Sequence, residues 1–282
     1  MHPPIASYRL RRFLAPVAIF AFLCAAVFPA SAQTQDAAKP SPLAPTLTRH
    51  GGLARWCGFK TLDYDLSWKL GARELADHQT FDLPNRQGLI TAADGSYRVG
   101  NDGKDVWVAP NKAALAGGKM PARFYFGTPF YFFAIPFVFA DPGVNVSPTG
   151  SKTFEGKPCD TARITFGKNV GDTPEDYYIL YTDAGTHDVR LVAYVVTYPA
   201  MRGTKTIEEL EPHALVYDEW QEADGLRVPK RGRFFNWNAK EEKVEGEPRG
   251  TVEFNNVKFG TTEPDAAKFA RPASGAEIDA MR

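Results

Sequence analysis

The sequence predicts a mainly β domain of about eleven antiparallel strands, and three observations carry that prediction. Apolar residues recur at every second position in one segment after another. Gly, Pro, Asn and Asp gather between those segments at hairpin spacing. Neither a strand–helix–strand alternation nor a 20–50-residue repeat interrupts the pattern. With 282 residues, aromatics at 13% and 24 Gly and 22 Pro, the composition is that of a folded domain.

The first element is an address. Residues 9–12 read RLRR, residues 13–28 are an uncharged apolar run, and residues 30–32 read ASA. This is the layout of a secretory signal peptide, with cleavage expected near Ala32 and a periplasmic or secreted destination. The apolar run is too short for a membrane span, which needs about 20 residues, and Pro29 breaks it. The expected divisions are therefore a signal peptide over 1–32, a flexible leader over 33–46 rich in Pro, Ala and Gln, and one domain over 47–282. Lys and Arg total 33, as do Asp and Glu, and removing Arg9, Arg11 and Arg12 with the signal leaves 30 basic against 33 acidic residues. No nucleic-acid partner is expected from that balance.

The domain opens with a short helix predicted over 47–56, capped by Thr48 and stopped by Gly58. In the following strand Leu62, Tyr64, Leu66, Trp68 and Leu70 take the dry face, while Thr61, Asp63, Asp65, Ser67 and Lys69 take the wet one. Further strands are predicted over 75–83, 86–92, 96–100, 104–109, 159–167, 175–183, 187–198, 214–222, 226–237 and 250–259. Pro84-Asn85, Asp94-Gly95, Asn101-Asp102-Gly103 and Asp224-Gly225 mark turns between them. Thr149–Thr153 also reads as a turn. A second short helix is predicted over 204–211. A sheet of this width closes into a barrel, curls into a half-barrel or folds into a sandwich, and alternation does not distinguish these.

One segment departs from the pattern. Nine of the sixteen residues in FYFGTPFYFFAIPFVF, 124–139, are Phe or Tyr and none is charged. Pro129 and Pro136 exclude a central strand, so a short helix is expected over about 129–134. Either these rings fill the mouth of a curled sheet as core, or they form a lid over a cavity that accepts an apolar ligand.

Nucleophile elbows, zinc-protease motifs, phosphate loops and dinucleotide fingerprints are absent from the sequence. His50, His78, His187 and His213 lack ligand spacing, so neither a metal nor a cofactor is expected, and the protein is read as a non-enzyme. Asp172, Glu175 and Asp176 read as a turn before a strand. In an exported chain Cys57 and Cys159 either pair or stay as buried thiols. Pairing is the expectation, and it would close a loop of about a hundred residues worth up to roughly 4.7 kcal/mol.

WCGFKTLDYDLSW, DHQTFDL, YRVGNDGKDVWVAP, FYFGTPFYFFAIPFVFADPG, GDTPEDYYILYTDAGTHDVRLVAYVVTY, GLRVPKRGRFFNW and the closing KFARP together resemble a family of secreted bacterial proteins of unknown function. That family is similar in architecture to the periplasmic lipoprotein carriers LolA and LolB, and the resemblance covers about residues 47–273. It implies an antiparallel half-barrel with short helices as a lid over its concave face, and a cavity for acyl chains. Trp68, Trp107, Phe126, Phe130, Tyr131, Phe133 and Phe137 are the ligand-contacting residues expected on that basis. The partner expected is an apolar small molecule or lipid bound by a monomer that does not span the membrane. The alternative is a structural or protein-interaction module of the cell envelope with a filled core.

Overall fold

The computed structural model describes residues 41–280, so the signal peptide and most of the leader lie outside the described residues. Two short helices come first, α1 (Ala44–Arg49) and α2 (Leu53–Gly58). They replace the single helix predicted there because Gly51 and Gly52 take positive φ, 101° and 92°. Five strands follow: β1 (Thr61–Leu70), β2 (Arg73–Asp82), β3 (Gln87–Ala92), β4 (Arg98–Asn101) and β5 (Val106–Ala109). Helix α3 (Ala122–Ala134) leads to β6 (Val144–Phe154), β7 (Lys157–Phe166), β8 (Tyr178–Asp183) and β9 (Val189–Tyr194). After α4 (Pro199–Arg202) come β10 (His213–Ala223), β11 (Leu226–Asn238), β12 (Lys243–Gly260) and the two-residue β13 (Glu277–Ile278).

All thirteen strands join one antiparallel sheet in the order β13-β5-β4-β3-β2-β1-β12-β11-β10-β9-β8-β7-β6. It does not close, since β13 and β6 are edges. The curl follows from the contacts of α3, a 13-residue helix about 20 Å long. Its Tyr125 reaches Tyr97, beside β4, and Asp77, while Tyr217 of β10 donates to the carbonyl of Phe132 at 2.8 Å. In a flat sheet, β4 and β10 would stand about 29 Å apart at 4.8 Å per strand. One helix touches both because the sheet wraps around it as a half-barrel.

The main core fills this trough. Leu62, Tyr64, Leu66 and Trp68 of β1 point into it as their alternation requires, against Phe132, Phe133 and Phe254. A second, smaller cluster that includes Phe154, Cys159, Tyr181 and Trp237 lies apart from it.

Several expectations are corrected. Strands β6 and β13 bring the predicted eleven to thirteen. Residues 149–153 are strand and not turn, and they escaped notice because β6 is an exposed edge with Pro148 at a bulge and little apolar alternation. The aromatic helix starts at Ala122, a full turn and more before its predicted start, with Pro129 inside it. Of the predicted helix over 204–211 only a 3-10 turn at Ile207–Glu209 forms, and the short α4 lies before it. Part of the segment read as leader is packed: Leu43 and Thr46 are buried beneath α1. Cys57 and Cys159 do not form a disulfide. Cys57 is exposed on α2, whereas Cys159 belongs to the smaller cluster away from the trough, where burial raises the pKa of its thiol.

Candidate functional site, a cleft beneath the lid helix

Helix α3 does not fill the trough. A cleft of about 770 Å³ remains beside it, within the usual span of small-molecule sites. Phe124, Gly127, Thr128 and Tyr131 recur at i, i+3, i+4 and i+7, so they form one side of α3, and all four border the cleft. The opposite wall is made by inward-pointing aromatics of the sheet: Trp68 of β1, Phe166 of β7, Tyr178 of β8, Tyr194 of β9 and Phe234 of β11. Within this wall Trp68 touches Phe234 at 5.1 Å and Tyr178 touches Tyr194 at 5.9 Å between centroids, and Tyr178 also stacks on Tyr131 of α3 at 5.5 Å.

Gly127 is the informative residue of the helix. A glycine in a helix interior costs about 1 kcal/mol relative to alanine. Elsewhere a glycine has a packing reason, as at Gly100 of β4, whose added Cβ would lie 2.3 Å from the indole of Trp107. A Cβ built at Gly127 meets nothing within 4 Å. Gly127 is exposed where it borders the cleft, so its missing side chain leaves the mouth of the cleft open.

The seven residues predicted to contact ligand divide into three sets. Trp68, Phe126, Phe130 and Tyr131 line the cleft. Phe133 and Phe137 are core: Phe133 stacks on Tyr64 at 4.9 Å and Phe137 on Trp56 at 4.7 Å, and both are about 1% exposed. Trp107 lies outside the main core, with its Nε1 donating to the carbonyl of Phe269 at 3.0 Å. Its neighbours Val106 and Val108 do join the main core, so Trp107 occupies the other face of β5. Phe81, Phe132, Tyr178, Tyr194 and Phe234 line the cleft and were not singled out from the sequence. Each sits on a strand or helix position whose apolar character was legible, but not which stretch of the inner face α3 leaves uncovered.

The polar lining is mostly neutralised. Arg86 pairs with Asp141 at 2.9 Å and Arg123 with Asp172 at 2.6 Å. Burial raises the pKa of Asp176, partly offset by hydrogen bonds from Thr173 and Thr197 that leave its carboxylate fully engaged. The Tyr131 hydroxyl and Arg86 Nη1 are buried without a hydrogen-bond partner among the described residues. Burial, reinforced by Asp141 and Asp176, raises the pKa of Tyr131, so its hydroxyl remains protonated.

The histidines are placed elsewhere or held neutral. His78 is exposed and its Nδ1 lies 2.8 Å from Asp65, beside Asp63, while His187 sits in the β8–β9 turn. His213 borders the cleft, and burial, with Arg249 nearby, lowers its pKa. Among the described residues no three His, Cys, Asp or Glu side chains converge at metal-binding distance. No helix among them is long and apolar enough to cross a membrane.

No known family profile and no curated protein matches the chain. Solved structures do resemble it. A DUF1329 family protein from Desulfovibrio piger is 12% identical with a TM-score of 0.48, over 81% of this chain and 97% of that one. A LolA superfamily protein from Nitrosomonas europaea is 9% identical with a TM-score of 0.48, over 75% and 89%. An outer membrane lipoprotein-sorting protein domain from Vibrio parahaemolyticus is 11% identical with a TM-score of 0.41, over 76% and 88%. At such identities and TM-scores these likenesses add nothing about function to what the cleft itself offers.

Proposed function

We propose that this protein binds a hydrophobic ligand, a lipid or acyl chain, in the cleft between the concave sheet and α3, as an exported carrier or sensor that performs no chemistry on it. The observation that carries this reading is the cleft of about 770 Å³, walled by aromatic rings of both α3 and the sheet. Burial of an alkyl chain against these rings supplies the affinity, at about 25 cal/mol per Å² of apolar surface. The neutralised lining is compatible with an apolar cargo, because it presents few charges for that cargo to desolvate.

The reading extends to location: a periplasmic or secreted protein after cleavage near Ala32. Titration of the exported protein with a fluorescent hydrophobic dye tests the cleft. Saturable binding is expected for the wild type. Gly127→Trp should weaken it by about tenfold or more, with a melting temperature unchanged or higher because the new side chain enters open space. A folded Gly127→Trp protein that binds dye like the wild type would remove the cleft from consideration. A wild type that binds none would favour the envelope-module alternative.

A further inference from the structure

One end of the cleft carries charge that nothing neutralises. Arg73 begins β2 and Arg249 lies on β12, and the two are brought together by the β1–β2 turn. There the Gly71 amide donates to the Arg249 carbonyl at 3.0 Å, and Leu70 pairs with both Arg73 and Gly250. Arg73 and Arg249 share one notch with Leu70 and Gly71, and both also border the main cleft.

Arg249 Nη1 donates to Asn236 Oδ1 at 2.9 Å, with His213 Nδ1 at 3.5 Å, and both partners are neutral. Neither Arg73 nor Arg249 forms an ion pair among the described residues, in contrast with Arg86 and Arg123, which also border the cleft. Lys205 and Glu211 also border the cleft, and neither forms an ion pair among the described residues. Two guanidinium groups without an ion pair thus stand at this end of the cleft, beside the strand pairs that carry Trp68 and Phe234.

We infer that this rim recognises an oxyanion head group, carboxylate or phosphate, on a single-chain amphiphile whose tail lies in the cleft, with Arg73 and Arg249 as the head-group residues. Two guanidinium groups present planar forks suited to such oxygens. Arg86 offers no such charge, since Asp141 already neutralises it. The inference rests on the cleft reading and adds the class of ligand.

Binding of hexadecanoate, hexadecyl phosphate, hexadecanol and inorganic phosphate to the exported protein separates the two. Both anionic chains should bind about tenfold tighter than hexadecanol, with a preference that shrinks as salt is raised. Arg73→Gln/Arg249→Gln should bring that preference below about threefold and leave hexadecanol binding unchanged. Arg249→Gln alone, at an exposed position, should give an intermediate loss. Equal binding of hexadecanol and hexadecanoate by the wild type, or a preference kept in the double variant, would overturn the head-group inference and leave the cleft reading standing. Inorganic phosphate bound as tightly as hexadecyl phosphate would also overturn it, by making the arginines a free-anion site. Failure of every chain to bind would remove the cleft reading itself.

Discussion

His50 has no accessible surface, and both of its ring nitrogens are engaged. Nδ1–H donates to the Arg227 carbonyl at 2.9 Å, and Nε2 accepts from the Val189 amide at 3.3 Å. This network requires the neutral ring. Burial lowers its pKa to about 4 against the ordinary 6.5. The unfolded chain therefore binds a proton that the folded chain refuses between those values. The stability this histidine contributes is full above pH 6.5 and falls as the pH drops toward 4, by at most about 1.4 kcal/mol per unit. Asp188, held beside it by Arg49 and Arg227, acts with the same sign but lower on the scale. Burial would raise its pKa, and the two arginines outweigh that and hold it at about 2. Burial raises the pKa of Asp77, Asp141 and Asp176, and these act in the opposite sense. The useful quantity is therefore a difference between proteins. Denaturant unfolding of wild type and His50→Gln should show a wild-type advantage at pH 7 that shrinks steadily toward pH 4, and an advantage constant with pH would refute this assignment.

At the scale of elements, α3 is the piece whose placement matters most, and its fixings are distant in sequence. Asp279, next to β13, accepts from the Arg123 amide at 3.1 Å and puts a carboxylate at the helix N-terminus. Asp77 of β2, fully buried, accepts from the hydroxyls of Tyr97 and Tyr125 and from Gln79. Within the helix, the Thr128 hydroxyl donates to the Phe124 carbonyl at 2.7 Å, one turn before Pro129 interrupts the ladder. Asp279→Ala should cost about 1 kcal/mol in denaturant unfolding and speed hydrogen exchange in the first turn of α3. Unchanged exchange there would show that the cap is idle.

These fixings explain what was legible in the sequence. Period-two alternation revealed β1 because Leu62, Tyr64, Leu66 and Trp68 face a dry trough and their neighbours do not. It missed β6, whose middle residues, from Ser147 to Thr153, are exposed on both faces. The aromatic richness of 124–139 marked the lid, but Pro129 concealed the helix on its N-terminal side. A cap supplied from 156 residues away leaves no local sign. The separation of Phe130 from Phe133, and of Trp68 from Trp107, depends on which side of a helix or strand each one occupies in the folded trough.

At the scale of the whole molecule, a sheet of thirteen strands curls around one helix and leaves a cleft along it. The aromatic segment divides between core and cleft wall. Phe133 and Phe137 pack into the core, while Phe126, Phe130 and Tyr131 border open space. An open cleft walled by aromatic rings leaves apolar surface in water, at about 25 cal/mol per Å², which a bound apolar chain would cover. Native mass spectrometry with organic extraction, applied to wild type and Gly127→Trp recovered from a bacterial periplasm, tests this occupancy most directly. The expected result is a solvent-extractable lipid or fatty acid on the wild type and its absence from the folded variant. A wild type that emerges bare, and stays bare after incubation with phospholipid and fatty acid, would contradict it.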